Sequence, residues 1–154
     1  ERLARSLAEM ENLRKRTARE ITDSRQYAVT SFARDVLSVA DNLQRALAAV
    51  PAELRSAENK AVTAFLEGVE VTERGLEQTL AKFGVKAIDP KGEKFNPDFH
   101  QAVFEVETTE VPPGSVAQVM QAGYVIGERV LRPAMVGVAK APAAASPAAA
   151  NDAN

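Results

Sequence analysis

Cysteine and tryptophan are absent from this 154-residue chain, histidine occurs once, and aromatic residues together make up 5% of it. Without cysteine there is no disulfide framework and no thiolate metal site, which fits a reducing cytoplasm. A lone histidine, His100, excludes a His-based metal cluster and any relay between two histidines. With few aromatics and no Trp, apolar content rests on Ala, Val and Leu, which argues against a large compact globule. No apolar run approaches the roughly 18 residues of a membrane-spanning helix. A large excess of charge of one sign is missing too. The net charge is −2, so no global field favours nucleic acid or an acidic membrane surface.

What is present is alanine and charge, with Asp, Glu, Lys and Arg at 26%, a composition that favours long helices. The chain opens at Glu1, without Met and inside a helical pattern, and reads as a fragment of a longer chain. From Leu3 to Val50 neither Pro nor Gly occurs, and Pro51 is the first residue that forbids continuation. A helix over that stretch would be roughly 70 Å long at about 1.5 Å per residue, longer than anything else here could cover. Its apolar residues recur every eleven positions: Met10, Ile21, Phe32 and Leu43, with Thr17, Ala28, Val39 and Val50 in parallel. An eleven-residue period corresponds to about 3.67 residues per turn and to a nearly straight helix pair. The stripe therefore predicts self-association through Met10, Thr17, Ile21, Phe32 and Leu43. The alternative is one exposed helix packed on another part of the same chain.

A second helix is expected from about Ser56 to Phe83, with Val62, Phe65, Leu66, Val69, Leu76, Leu80 and Phe83 at three- and four-residue spacing. Gly84 falls at its natural C′ position. Gly68 and Gly75 inside it each cost about 1 kcal/mol against Ala, so they suggest either close approach of another backbone or loose packing. Beyond Gly84 the texture becomes short strands: Val85–Ile88, Ala102–Val106, Val116–Met120, Tyr124–Ile126, Arg129–Leu131 and Met135–Ala139. Asp89-Pro90-Lys91-Gly92 and Pro112-Pro113-Gly114 punctuate them. Gly127-Glu128 suits a two-residue type II′ hairpin. From Ala141 the Ala/Pro/Ser/Asn composition reads as a disordered tail.

Candidate chemistry is sparse. Gly123-Tyr-Val-Ile-Gly127 lacks the Lys-Ser/Thr of a phosphate loop, and Glu67, Glu70, Glu73 and Glu77 read as a solvated helix face. Arg14-Lys15-Arg16 with Arg19 is the one dense basic patch. Glu9, Glu11, Glu20 and Asp23 surround it without aromatic interleaving, so a solvated face or a protein contact fits better than nucleic acid.

The most specific signal is C-terminal. Phe95-Asn-Pro-Asp-Phe-His-Gln-Ala-Val103 is followed by Gly123-Tyr124 and then by Arg129-Val-Leu-Arg-Pro-Ala-Met-Val-Gly-Val138. This resembles the signature of GrpE, the nucleotide exchange factor of the bacterial DnaK chaperone. Met10-Glu-Asn-Leu-Arg-Lys-Arg-Thr17 and Asp41-Asn-Leu-Gln-Arg-Ala-Leu47 are similar to the same family's helix motifs, and the resemblance covers residues 3 to 140.

The resemblance implies an α+β homodimer with paired long helices, a four-helix bundle and a small β domain on each protomer. On that plan residues 1–50 form the dimerising helix, broken once, residues 51–84 the bundle helix, 85–140 the β domain and 141–154 the tail. The family's β domain engages the DnaK nucleotide-binding domain and opens its cleft so that ADP leaves. By position its chaperone-contacting residues fall on Arg129, Val138, Arg14 and Gly68, with Tyr124 on the same β face. This chain has Gly127-Glu128 where many members have Asn-Gly, and Asp23 and Ser24 where some carry a basic residue. The expected protein is non-enzymatic and cytoplasmic, with no cofactor, metal, nucleic acid or membrane partner and with His100 structural. A helical scaffold without exchange activity is the alternative.

Overall fold

The computed structural model describes residues 1–56 and 58–143. The helices are α1 (Arg2–Tyr27), α2 (Thr30–Ala48), α3 (Ala52–Arg55) and α4 (Lys60–Lys82). The strands are β1 (Val85–Ile88), β2 (His100–Glu107), β3 (Val116–Gln121), β4 (Gly123–Ile126), β5 (Arg129–Arg132) and β6 (Ala134–Lys140). This is the α+β architecture the sequence implied. The described residues form two compact units: Glu1–Ile88 with Gly123–Arg132, and Asp89–Ala122 with the described residues from Pro133.

In the first unit, α1 buries no residue. Its local support is a series of exposed ion pairs, Arg5–Glu9, Arg14–Glu11, Lys15–Glu11 and Arg16–Glu20, each worth a few tenths of a kcal/mol. The uninterrupted Leu3–Val50 helix read from the residues is corrected here. The helix breaks at Ala28–Val29, where Val29 has φ −88° and ψ 3°. Neither Pro nor Gly makes the break. It follows Tyr27 and divides a segment with no buried residue from one that packs on α4. In α2 the four- and three-residue spacing of Ala33, Leu37 and Ala40 puts all three in the core, and Leu80 of α4 is buried with them.

The second long helix starts at Lys60, later than the expected Ser56. The side chain of Asn59 caps it, accepting from the N–H groups of Ala61 at 3.0 Å and Val62 at 3.4 Å. Gly84 ends it in the left-handed region at φ +81°, its N–H donating to the Ala81 carbonyl. A Cβ added at Gly68 or Gly75 meets no atom of the described residues within 4 Å. Of the two readings of those glycines, close approach therefore has no counterpart within this chain.

The strands expected between residues 85 and 140 sort into two three-stranded sheets, one in each unit. The first has the order β1-β4-β5, with both pairings antiparallel. It buries Val85, Tyr124, Ile126 and Leu131. In the second unit the order is β2-β6-β3, with β2 parallel to β6 and β3 antiparallel to it. Val116, Ala134 and Val136 form its buried centre, and Phe95, Val119 and Val138 pack around them. On the other face of β6 the Phe104 ring covers Gly137. A Cβ there would come within 2.6 Å of Phe104 Cε2. His100 is buried in this unit and structural. Its Nδ1 accepts the Asn96 N–H at 2.9 Å, closing the turn before β2.

Among the described residues no helix is long and apolar enough to cross a membrane. Most of the tail read from Ala141 lies outside the described residues, which end at 143.

Candidate partner-binding site

The site is built around the β4–β5 hairpin of the first unit. Ile126 pairs with Arg129 across a two-residue loop, so Gly127-Glu128 forms the turn as expected. Gly127 has φ +56° and no residue other than glycine has positive φ, which excludes type I′ and fits type II′. Space is also tight at this position. A Cβ at Gly127 would collide with the Gln26 amide and lie 3.2 Å from the Tyr27 hydroxyl. The hairpin tip thus rests on the last turn of α1, and the Gly127 N–H donates to the Gly84 carbonyl at 3.1 Å.

Three arginines line this edge and each does something different. Arg129 is exposed, with its guanidinium carbon 3.8 Å from the centroid of the Tyr27 ring. Its N–H donors meet no acceptor among the described residues. Arg34 of α2 donates to the Leu131 carbonyl at 3.3 Å. Arg132 makes a two-pronged ion pair with Asp41 of α2, at 2.6 and 2.8 Å, and its guanidinium lies 5.4 Å from the Tyr124 ring centroid. The hairpin is therefore tied to α1 and α2 by a stacked cation, a backbone acceptor and an ion pair. Tyr124 lies beneath it, 2% exposed, its hydroxyl without a hydrogen-bond partner among the described residues. Burial pushes the Tyr124 phenol above its usual range. The carboxylates of Glu77 and Asp41 add to that rise, and Arg132 opposes it.

The residues singled out by sequence are not gathered at one point. Arg14 is exposed on α1 and paired with Glu11, thirteen residues before Tyr27 and so about 20 Å along the helix. Gly68 is exposed on α4. Val138 is half-buried in the second unit, packed against Val116, Ala134 and Val136. Tyr124 offers no surface, because its ring is core. Of the self-association stripe, Met10 is 63% exposed, Ile21 48% and Phe32 70%; Thr17 is exposed and Leu43 half-buried. Sequence reasoning missed Tyr27, Arg34 and the Asp41–Arg132 pair. Asp41 and Arg132 both stand inside the motifs quoted above, but nothing in their spacing says that they meet. Tyr27 is one of only two tyrosines in the chain, a faint signal at best.

An exposed cation on a braced hairpin, beside a long helix that buries nothing of its own, defines a protein-binding module. Among the described residues no cluster of His, Asp or Glu side chains is placed to hold a metal ion. Comparison with known proteins makes the class particular. The GrpE family model matches residues 1–140, and the chain belongs to the GrpE family. It is 63% identical to the protein GrpE of Bradyrhizobium diazoefficiens, over 100% of this chain and 77% of that one. It is also 63% identical to the protein GrpE of Afipia carboxidovorans, over 92% of this chain and 70% of the relative. With the protein GrpE of a further Bradyrhizobium strain it shares 61% identity over 99% of its length and 74% of the relative's. Membership carries the family's general role, that of a non-enzymatic nucleotide exchange co-chaperone.

Proposed function

We propose that this chain binds the nucleotide-binding domain of a DnaK-type chaperone through the β4–β5 hairpin, favours the open cleft and so speeds the release of ADP. The observation that carries this reading is Arg129: exposed, held at the hairpin and with every N–H donor unengaged among the described residues. A guanidinium so placed suits a carboxylate on the partner surface. The mechanism is differential binding. A protein that prefers the nucleotide-free conformation lowers nucleotide affinity by the same coupling factor that nucleotide lowers its own. Arg14, Gly68 and Val138 are proposed as further contacts on the family's plan, whereas buried Tyr124 supports the hairpin from beneath.

The chain is further proposed to act as a homodimer. Met10, Ile21 and Phe32 stay largely exposed among the described residues, and fully burying each is worth up to roughly 1.5–3 kcal/mol. Phe32 also stands on an apolar groove of about 240 Å³ lined by Val29, Val36, Leu76, Leu80 and Phe83. A second copy would cover both features. Sedimentation equilibrium that finds only monomer at micromolar concentration removes this part.

Release of a fluorescent ADP analogue from DnaK tests the function. The chain should accelerate it, and Arg129→Ala should weaken the effect about ten- to a hundred-fold in affinity, the value of a charge-assisted hydrogen bond. No acceleration by the unaltered chain at saturation would leave the scaffold reading instead.

A further inference from the structure

Arg129 does not wave freely from the hairpin. Its guanidinium carbon sits 3.8 Å from the centroid of the half-buried Tyr27 ring, the last residue of α1. A cation over an aromatic ring engages through its flat face, which leaves the N–H edge of the guanidinium to meet an acceptor. The same turn of α1 also receives the hairpin tip. Gly127 lies so close to the Gln26 side-chain amide and the Tyr27 hydroxyl that an added Cβ would displace the amide. Two neighbouring residues of the hairpin, Gly127 and Arg129, thus meet the last turn of α1 at Tyr27.

We infer that Tyr27 is a positioning residue for Arg129: it fixes the guanidinium over its ring before any partner arrives and leaves the donor edge ready for an acidic acceptor. A free arginine side chain loses much rotamer freedom when a partner immobilises it, and a side chain already held loses less. The last turn of α1 therefore contributes to binding through Arg129, and the break at Ala28–Val29 falls just beyond that platform. This inference rests on the docking role proposed for Arg129 above.

The test has two arms. In the free chain, NMR reads the Arg129 side-chain protons, which the Tyr27 ring current should displace upfield. Tyr27→Leu should abolish the displacement and Tyr27→Phe should keep it. In the exchange assay, Tyr27→Leu should raise the concentration needed for half-maximal acceleration by about two- to ten-fold, the value of one preordered side chain. The maximal rate should not change, and Tyr27→Phe should restore the unaltered affinity. In an Arg129→Ala background, Tyr27→Leu should cost nothing more. Circular dichroism on each variant checks that the helices persist. Undisplaced Arg129 protons in the free chain overturn the inference, as does a Tyr27→Leu penalty that persists without Arg129. Should the unaltered chain fail to accelerate release, the exchange reading falls while the NMR arm still decides whether Tyr27 holds Arg129.

Discussion

Removing the Asp41 carboxylate is the most informative test of how the hairpin is held. Asp41 accepts from Arg132 Nη1 at 2.6 Å and Nη2 at 2.8 Å, and their side chains are 12% and 21% exposed. Fully exposed pairs contribute about 0–1 kcal/mol. Breaking a fully buried pair on one side costs about 3–5 kcal/mol, because a charge stays behind without its counter-charge. This pair stands between those limits and nearer the buried one, with two-pronged geometry. Asp41→Ala should therefore cost about 2–3 kcal/mol, discounted for the residual water access. Urea unfolding at one fixed chain concentration reads it as a midpoint lowered on the order of 1–2 M at an unchanged slope. The double replacement Asp41→Leu with Arg132→Met removes both charges and should recover most of the loss, since apolar packing commonly matches a buried ion pair. A cost below about 0.5 kcal/mol for Asp41→Ala refutes the reasoning, because the pair would then behave as an exposed one. A double variant no better than the single one refutes it equally, because the loss would then not come from a stranded charge.

Three further outcomes follow from other parts of the chain. Gly137→Ala should destabilise the second unit by about 1–3 kcal/mol, because the new methyl would fall 2.6 Å from the Phe104 ring; a thermal midpoint within a degree of the unaltered chain would show that the ring moves aside freely. The raised Tyr124 phenol favours the folded state fully below the unfolded tyrosine value of 10.0 and loses that contribution as pH climbs through the higher folded value. Tyr124→Phe should accordingly flatten the alkaline loss of stability in melts compared at neutral pH and above pH 10, at little cost near neutrality because its hydroxyl has no partner. Helicity in residues 3–30 should be lost on heating before that of α2 and α4, since α1 buries nothing; hydrogen exchange showing equal protection along α1 and α2 would contradict this.

Much of the helical part was legible because helix signals are local. The three- and four-residue spacing around Leu76 and Leu80, Gly84 as terminator and Gly127 at the hairpin all act within a few residues of themselves. The break at Ala28–Val29 was not legible in the residues, because no Pro or Gly marks it. A hairpin a hundred residues later in the chain packs on Gln26 and Tyr27 just before it, a contact that no local signal announces. The division of the strands was hidden for a related reason. β4 follows β3 directly in sequence but pairs with β1, and β6 pairs in parallel with β2, across separations that alternation of apolar residues cannot express. At the candidate site Arg129 could be singled out by motif. What holds it and its hairpin could not, because Tyr27, Asp41 and Arg34 lie on helices where a lone polar or aromatic residue looks like any other surface position.

Holding the docking side chain to a helix that buries nothing has a physical consequence. Most helical stability in proteins comes from tertiary packing of an apolar face, and the exposed ion pairs of α1 add only a few tenths of a kcal/mol each. Its persistence must then draw on whatever covers Leu3, Leu7, Met10, Leu13 and Ile21, which the proposed second copy would supply. The ring of Tyr27 stays under Arg129 only while the last turn of α1 stays wound. Fraying from the Arg2 end leaves that turn alone, since Gln26 and Tyr27 also lie against Gly127. Fraying that reaches the break releases the ring and returns Arg129 its rotamer freedom. Dilution and heat should therefore weaken partner binding in two stages: a first in which the outer part of α1 unwinds while Arg129 stays displaced by the Tyr27 ring current, and a second in which displacement and affinity fall together. Affinity that falls in step with the first loss of helicity, with the Arg129 protons still displaced, would mean that the outer part of α1 contributes contacts of its own.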